Sequence, residues 1–360
     1  MALGLVKSLH GTAFINGSWV DAHDGSTFEV TNPADETVIA EVANCGEEET
    51  KQAINAAVEA LPVWSALPAK QKSSILRKWF ELITANIEEL AELLTLEQGK
   101  PIAEARAEIA YGASYIEWFA EEAKRIYGDT IPAPGPDKRI ITLKQPVGVV
   151  ACITPWNFPN AMLTRKIAPA LAAGCTVVCK PANETPLSAL ILADYALKAG
   201  IPDGVINILC GKTNEIGETL TASKDVRKLT FTGSTAVGKK LAADCAKTMK
   251  RTTMELGGNA PFLIFGDADI DSAVSGLMAS KFRNSGQTCV CANRILVEDQ
   301  IYEQFANALK AATQKLVIGN GLDSNTSMGP LIHKAASNAC REKVAVSLQE
   351  GAQLFWPDEI

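Results

Sequence analysis

The stretch of sequence that decides the fold is residues 147–180, VGVVACITPWNFPNAMLTRKIAPALAAGCTVVCK. Residues 147–153 and 176–180 are short apolar runs rich in β-branched side chains, which are typical of buried strands. Residues 159–172, between them, carry apolar side chains at helical spacing. The alternation of strand and helix continues to residue 255, so we predict an α/β fold with a doubly wound, mostly parallel sheet. Sheets of this kind bind ligands beyond the carboxyl ends of their strands.

Further elements are predicted on both sides of this region. Short strands with a hairpin extend to about residue 42, and helical periods then cover residues 47–61, 69–96 and 102–126. Residues 130–146 contain four prolines and predict an irregular β-excursion, because proline cannot donate a hydrogen bond within a central strand. A second alternation begins near residue 260, with strands at 262–264 and 294–297 and helices at 271–282 and 300–315. This alternation predicts a second α/β region.

Composition excludes several classes of protein. The chain has 360 residues, of which 47% are hydrophobic and 21% charged, so it has ample material for a folded core. Its net charge of −7 argues against binding nucleic acid through phosphates. The longest small and apolar run, residues 167–179, is too short to cross a bilayer, and the N-terminus lacks the pattern of a secretory signal. We therefore predict neither a nucleic-acid nor a membrane partner.

The nine cysteines are scattered and odd in number, which predicts free thiols in a reducing, cytoplasmic compartment. Two pairs are close in sequence, Cys175 with Cys179 and Cys289 with Cys291, and neither has a second pair or a nearby histidine to complete a zinc site. The three histidines lie in no metal-binding or nucleophile-activating motif. We therefore predict no metal.

A candidate phosphate loop, FTGSTAVGKK, occupies residues 231–240. It follows a strand and opens a helix, where backbone N–H groups can face a phosphate. The loop nearly matches the Walker A pattern, but Lys240 stands where that pattern needs a hydroxyl residue for Mg²⁺. A P-loop nucleotide hydrolase is therefore the less favoured interpretation, and an ordinary turn between strand and helix stays open.

Three further motifs carry groups that can perform chemistry. Cys289, in NSGQTCVC, follows a helix and a turn, so it is either an exposed nucleophile or a small core residue. Glu255, in MELGGN, ends a strand before two glycines and is either a general base or a solvated turn residue. Asn157, in TPWNFP, lies in a loop stiffened by prolines, and its amide either donates to an oxyanion or completes a turn.

Together, the segments PWNFP, KPANETP, FTGSTAVG, MELGGN and GQTC occur here in the order found in the NAD(P)-dependent aldehyde dehydrogenase family, which the chain resembles from its N-terminal hairpin to about Ile332. The variant GQTCVCANR, preceded by FRNS, and the run MLTRKIAPALAAGCTVVCKPA resemble the succinate-semialdehyde dehydrogenase branch, which acts in GABA degradation. The resemblance implies a Rossmann-like dinucleotide-binding domain formed by residues 1–128 and 147–256. It also implies an oligomerisation β-excursion at residues 129–146 and a catalytic domain at residues 257–360.

The resemblance also assigns roles to single residues. It implies that Cys289 attacks the aldehyde to give a thiohemiacetal, and that Asn157 and the backbone N–H of Cys289 form the oxyanion hole. Hydride transfer to the nicotinamide then leaves a thioester, and Glu255 activates the water that hydrolyses it. The residues implied to bind the cofactor are Thr154, Pro155, Trp156, Lys180, Ala182, Asn183, Gly233, Ser234 and Leu256.

Two features bear on specificity. Arg165 and Arg283 lie where this branch holds the distal carboxylate of its substrate, and planar guanidinium groups suit a carboxylate. Asn183 stands where NAD-preferring relatives often have glutamate, so we predict that NADP is accepted and preferred, with NAD as the second cofactor.

Cys291 is a candidate redox switch, because a segment of extended chain brings residues two apart close to the outer limit of disulfide geometry. We hypothesise a reversible Cys289–Cys291 disulfide that blocks the nucleophile, and a passive neighbour is the alternative. Inactivation by peroxide that dithiothreitol does not reverse would count against the disulfide.

Family members normally continue past the position of residue 360, so the chain is expected to be C-terminally truncated. The resemblance implies a homo-oligomer, which the expected truncation puts in question. The alternative to an enzyme is a truncated, non-catalytic nucleotide-binding or interaction protein.

Overall fold

The computed structural model describes residue 4 and residues 12–356. Contacts within the chain divide it into two compact units. The larger unit contains the chain up to Val30 together with Val38–Leu94 and Arg106–Leu256. The smaller unit contains Thr31–Thr37, Thr95–Ala105 and the chain from Gly257 onward.

A seven-stranded sheet forms the centre of the larger unit. In chain order the strands up to Leu256 are β1 (Ala13–Ile15), β2 (Ser18–Val20), β3 (Thr27–Thr31), β4 (Val38–Ala43), β5 (Thr130–Ile131), β6 (Ile140–Ile141), β7 (Val149–Ile153), β8 (Thr176–Lys180), β9 (Ile206–Ile208), β10 (Val226–Thr232) and β11 (Arg251–Glu255). The order in the sheet is β11-β10-β7-β8-β9-β1-β2. The pairs from β11 to β9 are parallel, and β1 pairs antiparallel with both β9 and β2. The predicted mixed α/β fold with a mostly parallel sheet is confirmed.

The helices that end before Gly257 are α1 (Glu47–Ala66), α2 (Ala69–Ala85), α3 (Ile87–Gln98), α4 (Ile102–Glu122), α5 (Ala161–Ala172), α6 (Leu187–Ala199), α7 (Thr213–Ala222) and α8 (Thr235–Ala246). Two tryptophans fix the first two of these helices. Trp64 and Trp79 are fully buried, and their indole N–H groups donate to the carbonyl oxygens of Leu171 at 3.0 Å and Leu192 at 3.1 Å. Helix α1 continues past Pro62 to Ala66, beyond the predicted end at residue 61, because the buried Trp64 stabilises its last turn.

The predicted helix at residues 69–96 is in fact two helices, which separate at Asn86. The Asn86 side-chain amide donates to the carbonyl of Leu82 at 2.8 Å, and the backbone carbonyl of Asn86 accepts from Leu90 N at 3.1 Å. Asparagine side chains compete with the helical backbone in this way, so the helix stops and restarts at this residue. The apolar stripe runs across the break, which is why the periodicity alone predicted one helix.

The smaller unit has its own core. Strands β12 (Ala260–Ile264) and β13 (Ala292–Val297) pair in parallel, and its later helices are α9 (Ile270–Lys281), α10 (Asp299–Thr313) and α11 (Lys334–Gln349). Its buried apolar residues include Ile264, Val274, Leu277, Ala292 and Phe305. The side chain of Asp269 caps α9 by accepting from Ser272 N at 2.8 Å.

The segment between α4 and β7 is the predicted irregular excursion. Strands β5 and β6 pair antiparallel, and the side chains of Ile131, Ile140, Ile141 and Leu143 are exposed on it. Within residues 12–356, no helix is long and apolar enough to cross a bilayer, and no group of three or more His, Cys, Asp and Glu side chains is placed to hold a metal ion. All nine cysteines are free thiols, and Cys340 is exposed.

Candidate active site

The carboxyl ends of four neighbouring strands carry most of the residues singled out in the larger unit. At the carboxyl ends of β7, β8, β10 and β11 and in the loops that follow lie Thr154–Asn157, Lys180–Asn183, Gly233–Ser234 and Glu255–Leu256. Because these strands are adjacent and parallel, their carboxyl ends meet at one edge of the sheet. The structure therefore brings the sequence-predicted cofactor residues to the same edge.

The candidate phosphate loop, residues 231–240, contains a glycine that has little room for a side chain. Gly233 N donates to the carbonyl of Glu255 at 3.0 Å, and a Cβ on Gly233 would lie 2.4 Å from Cζ of the Phe231 ring. Ser234 then caps α8, its hydroxyl accepting from Val237 N at 3.4 Å. The first turn of α8 is exposed, so its positive dipole end is accessible to an anion.

Two buried hydroxyls at the same edge have no hydrogen-bond partner among the described residues. They are Thr154 Oγ1, after β7, and Thr232 Oγ1, at the end of the neighbouring β10, on side chains only 4% and 5% exposed. A buried polar group left unpaired costs about 1–3 kcal/mol, so a polar ligand that reached either hydroxyl would stabilise it. Together with the accessible end of α8, these groups fit a dinucleotide, whose phosphates and ribose hydroxyls need such partners.

Lys180, the last residue of β8, and Asn183, in the loop that follows, form a hydrogen-bonded unit. The Lys180 ammonium, which is buried, donates to Asn183 Oδ1 at 2.9 Å and to the Pro181 carbonyl at 3.0 Å. The Asn183 amide also bonds to both backbone groups of Gly211, donating to its carbonyl at 2.8 Å and accepting from its N–H at 3.2 Å. Burial lowers the pKa of Lys180. An uncharged amide thus joins the β8 loop to the β9 loop.

The loop that carries Asn157 is fixed by a carboxylate that the sequence analysis did not select. Glu108, which is buried, accepts from the backbone N–H groups of Asn160 at 3.0 Å and Ala161 at 3.2 Å. These N–H groups begin α5, where a negative charge is favoured. Phe158 packs against Ala161 and Met162. The half-buried Asn157 is therefore held in a short, rigid segment between a strand and a helix.

A cavity of about 640 Å³ lies within the larger unit and is lined by Arg165, Lys166, Glu255 and Tyr115, among others. Lys166 is a charged residue that the sequence analysis missed. Its side chain is 7% exposed, its ammonium donates to Thr230 Oγ1 at 2.9 Å, and burial lowers its pKa to about 8. The sequence signal that could have identified Lys166 is its position within the otherwise apolar run of α5.

In the smaller unit, the chain before Cys289 makes a strained turn. Asn284, Ser285 and Gly286 all have left-handed backbone, with φ of 52°, 56° and 75°. Asn284 N donates to Glu104 Oε2 at 2.7 Å, and the Ser285 hydroxyl donates to the carbonyl of Gly329 at 2.8 Å. Left-handed backbone at residues other than glycine persists only where surrounding contacts hold it. The turn is therefore held by contacts with distant parts of the chain, and it sets the direction of the segment that follows.

Gln287 continues this anchoring towards the cysteines. Its Oε1 accepts from Ile332 N at 2.9 Å, and its amide donates to the Asn284 carbonyl at 3.2 Å. A Cβ on Gly258 would lie 2.9 Å from the carbonyl oxygen of Cys289, so the glycine permits a close approach of the two backbones.

The two cysteines of this segment differ in environment. Cys289 is half-exposed, whereas Cys291 is buried with its sulfur 2.6 Å from Thr288 Oγ1 and 3.4 Å from the Gly286 carbonyl. Cys291 would have to leave these partners to form the hypothesised disulfide, which stays a prediction. Arg283, at the start of the turn, is exposed.

A family model described as the aldehyde dehydrogenase family matches residues 19–359. The chain belongs to the aldehyde dehydrogenase family. It is 55% identical to the glutarate-semialdehyde dehydrogenase of Pseudomonas aeruginosa over 98% of this chain and 73% of that protein. It is 56% identical to the NADP(+) succinate-semialdehyde dehydrogenase of Escherichia coli over 95% of this chain and 71% of that protein.

Solved structures of aldehyde dehydrogenases agree with the fold. The crystal structure of an Escherichia coli NADP-dependent enzyme matches with a TM-score of 0.95 and 55% identity, over 96% of this chain and 72% of that one. The betaine aldehyde dehydrogenase of Staphylococcus aureus, in complex with NAD+, matches with a TM-score of 0.96 and 35% identity over 99% of this chain and 72% of that one. The predicted family is confirmed, and the chain is an enzyme of this family.

Proposed function

We propose that this aldehyde dehydrogenase oxidises an aldehyde with a distal carboxylate, succinate semialdehyde or a close homologue, to the acid with NADP, and with NAD as the second cofactor. The observation that carries the substrate class is the cavity that contains the Arg165 guanidinium and the Glu255 carboxylate. Lys166 and Lys228 add positive charge to its walls, which favours an anionic substrate. The names of the similar Pseudomonas and Escherichia enzymes support the same class.

In the proposed reaction, the Cys289 thiolate attacks the aldehyde carbon to give a thiohemiacetal. The Asn157 amide and the Cys289 N–H donate to the oxygen that becomes negative, and one such donor is typically worth ~10²–10³ in rate. The chemistry that bound NADP supplies is acceptance of the hydride, which leaves a thioester on Cys289. Glu255 takes a proton from the water that attacks the thioester, releasing the acid and the free thiol.

The test of the substrate class compares kcat/KM for succinate semialdehyde, glutarate semialdehyde and butanal, which has a four-carbon chain without a carboxylate. We expect a clear preference for the semialdehydes. Replacing Arg165 or Arg283 with methionine removes a charge-assisted contact with the carboxylate, so kcat/KM for the semialdehydes should fall at least about 30-fold. The value of kcat/KM for butanal, which has no carboxylate, should change far less.

Equal kcat/KM values for butanal and the semialdehydes in the unsubstituted enzyme would contradict the proposed substrate class. Binding of NADP without turnover of any aldehyde would instead support the alternative, a non-catalytic nucleotide-binding protein. The two failures are distinct, because the first leaves dehydrogenase activity in place.

The cofactor preference is expected to depend on the charge at position 183. Asn183→Glu places a carboxylate beside Lys180, so that it competes for the ammonium and repels the 2′-phosphate of NADP. We expect the ratio of kcat/KM for NADP to that for NAD to fall at least about 30-fold. The control Asn183→Gln introduces a side chain as long as glutamate but uncharged, and it should change the ratio less than about fivefold. Equal effects of the two substitutions would contradict the charge argument, as would a strong NAD preference in the unsubstituted enzyme.

We propose that residues 129–146 form an oligomerisation excursion, and that the two flanking regions, 1–128 with 147–256 and 257–360, act as the cofactor and catalytic domains. The exposed apolar side chains of Ile131, Ile140, Ile141 and Leu143 support a homo-oligomeric contact there.

Nine free thiols support a reducing, cytoplasmic compartment, and the net charge of −7 supports the absence of a nucleic-acid partner.

A further inference from the structure

Two lysines and two threonines meet on one face of the seven-stranded sheet, in the wall of the cavity that contains Glu255. Thr230 of β10 and Thr253 of β11 are register partners, so their side chains share a face and their backbones lie about 4.8 Å apart. The Lys166 ammonium donates to Thr230 Oγ1 at 2.9 Å, and the Lys228 ammonium donates to Thr253 Oγ1 at 2.5 Å. These four residues form a lysine–threonine cluster that holds two positive charges side by side.

The lysine–threonine cluster has more hydrogen-bond donors than acceptors. An ammonium group has three donors, and among the described residues each lysine uses one of them, on a threonine. Each threonine oxygen accepts from an ammonium, so its own proton stays available to a further acceptor. The cluster therefore presents several donors to the cavity and has room for an acceptor between them.

The charges of the cluster are not neutralised within the part of the chain that the structure describes. Neither lysine forms an ion pair with a described carboxylate, and Lys166 and Thr230 are each only 7% exposed. Burial lowers the pKa of Lys166 to about 8, so this ammonium is still mostly protonated at neutral pH. Buried charges are stable when they are paired, so the cluster fits an acceptor that carries negative charge.

We propose that Lys166 and Lys228, together with Thr230 and Thr253, form a subsite that binds an oxyanion of a small molecule. Thr253 precedes Glu255 by two residues on β11, a separation of about 6.6 Å along the strand. A carboxylate in the subsite and an aldehyde group beside Glu255 can therefore belong to one molecule, and this source of the oxyanion rests on the proposed function. The other source with the same chemistry is a free inorganic oxyanion such as phosphate.

The first test is calorimetric titration of the full chain with succinate and with inorganic phosphate, with succinamide as the uncharged control ligand. We expect an anion to bind and succinamide not to bind. Lys228→Met and Lys166→Met should each weaken binding of the anion at least about 10-fold, because a hydrogen bond between charged groups is lost. Lys228→Arg keeps the charge and should stay within about threefold of the original affinity. Lys224→Met, at an exposed lysine just before β10, is the matched control and should change the affinity less than about twofold.

The second test identifies the source of the oxyanion from kcat/KM for succinate semialdehyde and for butanal in Lys228→Met. If the subsite holds the substrate carboxylate, succinate binding weakens and the ratio of the two values falls about 10-fold, chiefly through a higher KM for the semialdehyde. If it holds a free oxyanion, phosphate binding weakens and the ratio stays unchanged.

The inference is overturned if neither succinate nor phosphate binds the unsubstituted chain, or if Lys228→Met and Lys166→Met leave the binding of both anions unchanged. An equal loss in Lys224→Met overturns it as well. Failure of the proposed substrate class is a separate result, because it appears as equal kcat/KM values for the semialdehyde and butanal in the unsubstituted enzyme. Phosphate binding that depends on the two lysines would support the subsite even then.

Discussion

Replacing Cys289 with alanine should lower kcat for aldehyde oxidation at least about 10⁴-fold, because loss of a nucleophile removes the bond-forming step itself. The side chain is small and half-exposed, so the substitution leaves the fold in place. Binding of NADP should stay within about twofold of the original value, since the accessible end of α8 and the Lys180–Asn183 unit are untouched. Absorbance of the reduced cofactor measures the rate, and calorimetric titration measures the binding.

The matched control is Cys340→Ala, which removes the exposed thiol of α11. It should leave kcat unchanged. A Cys289→Ala enzyme that keeps more than about a tenth of its activity would contradict the assignment of the nucleophile, as would an equal loss in the Cys340→Ala control.

Glu255→Gln should separate the two halves of the reaction. Glutamine has the shape of glutamate but cannot take a proton from water, so hydrolysis of the thioester should slow at least about 10³-fold. The steps before hydrolysis do not need this proton transfer. We therefore expect a burst of one reduced cofactor per active site followed by very slow turnover, with an acyl group retained on Cys289 in the intact-protein mass spectrum.

The Glu255 side chain is exposed, so thermal stability should change by less than about 0.5 kcal/mol on substitution, as for other surface sites. Glu81→Gln, at an exposed position of α2, is the matched control and should show neither a burst nor a loss of rate. A Glu255→Gln enzyme with no burst and no acyl adduct would place the role of this carboxylate before hydride transfer and contradict the proposed division of labour.

The sequence predicted best the elements that are buried on all sides, because a short, continuous apolar run bounded by turns is typical of a buried strand. The strand Thr176–Lys180 was predicted to the residue, because every side chain in it is buried and the run is bounded by turn signals. The interruption at Asn86 was missed, because the apolar period continues across it. The end of α1 was placed too early, since the burial of Trp64 outweighs the signal of Pro62.

Sequence motifs select candidate residues that lie in short local patterns, and they do not select residues whose hydrogen bonds depend on distant partners. Asn157, Glu255 and Cys289 come from short motifs, whereas nothing near Glu108 in the sequence indicates that it anchors the start of α5. The amide of Asn183 finds its partner at Gly211, 28 residues away. Hydrogen bonds of this kind depend on the fold and leave no local pattern.

The left-handed turn before Cys289 has a consequence for biosynthesis. One of its supports, Glu104, precedes Asn284 by 180 residues, and another, the carbonyl of Gly329, follows Ser285 by 44 residues. Because residues emerge from the ribosome in order, Cys289 leaves before the backbone that steadies its turn exists. Cys289 is therefore synthesised before part of the backbone that supports the turn preceding it, and that turn can be completed only after Gly329 has been added.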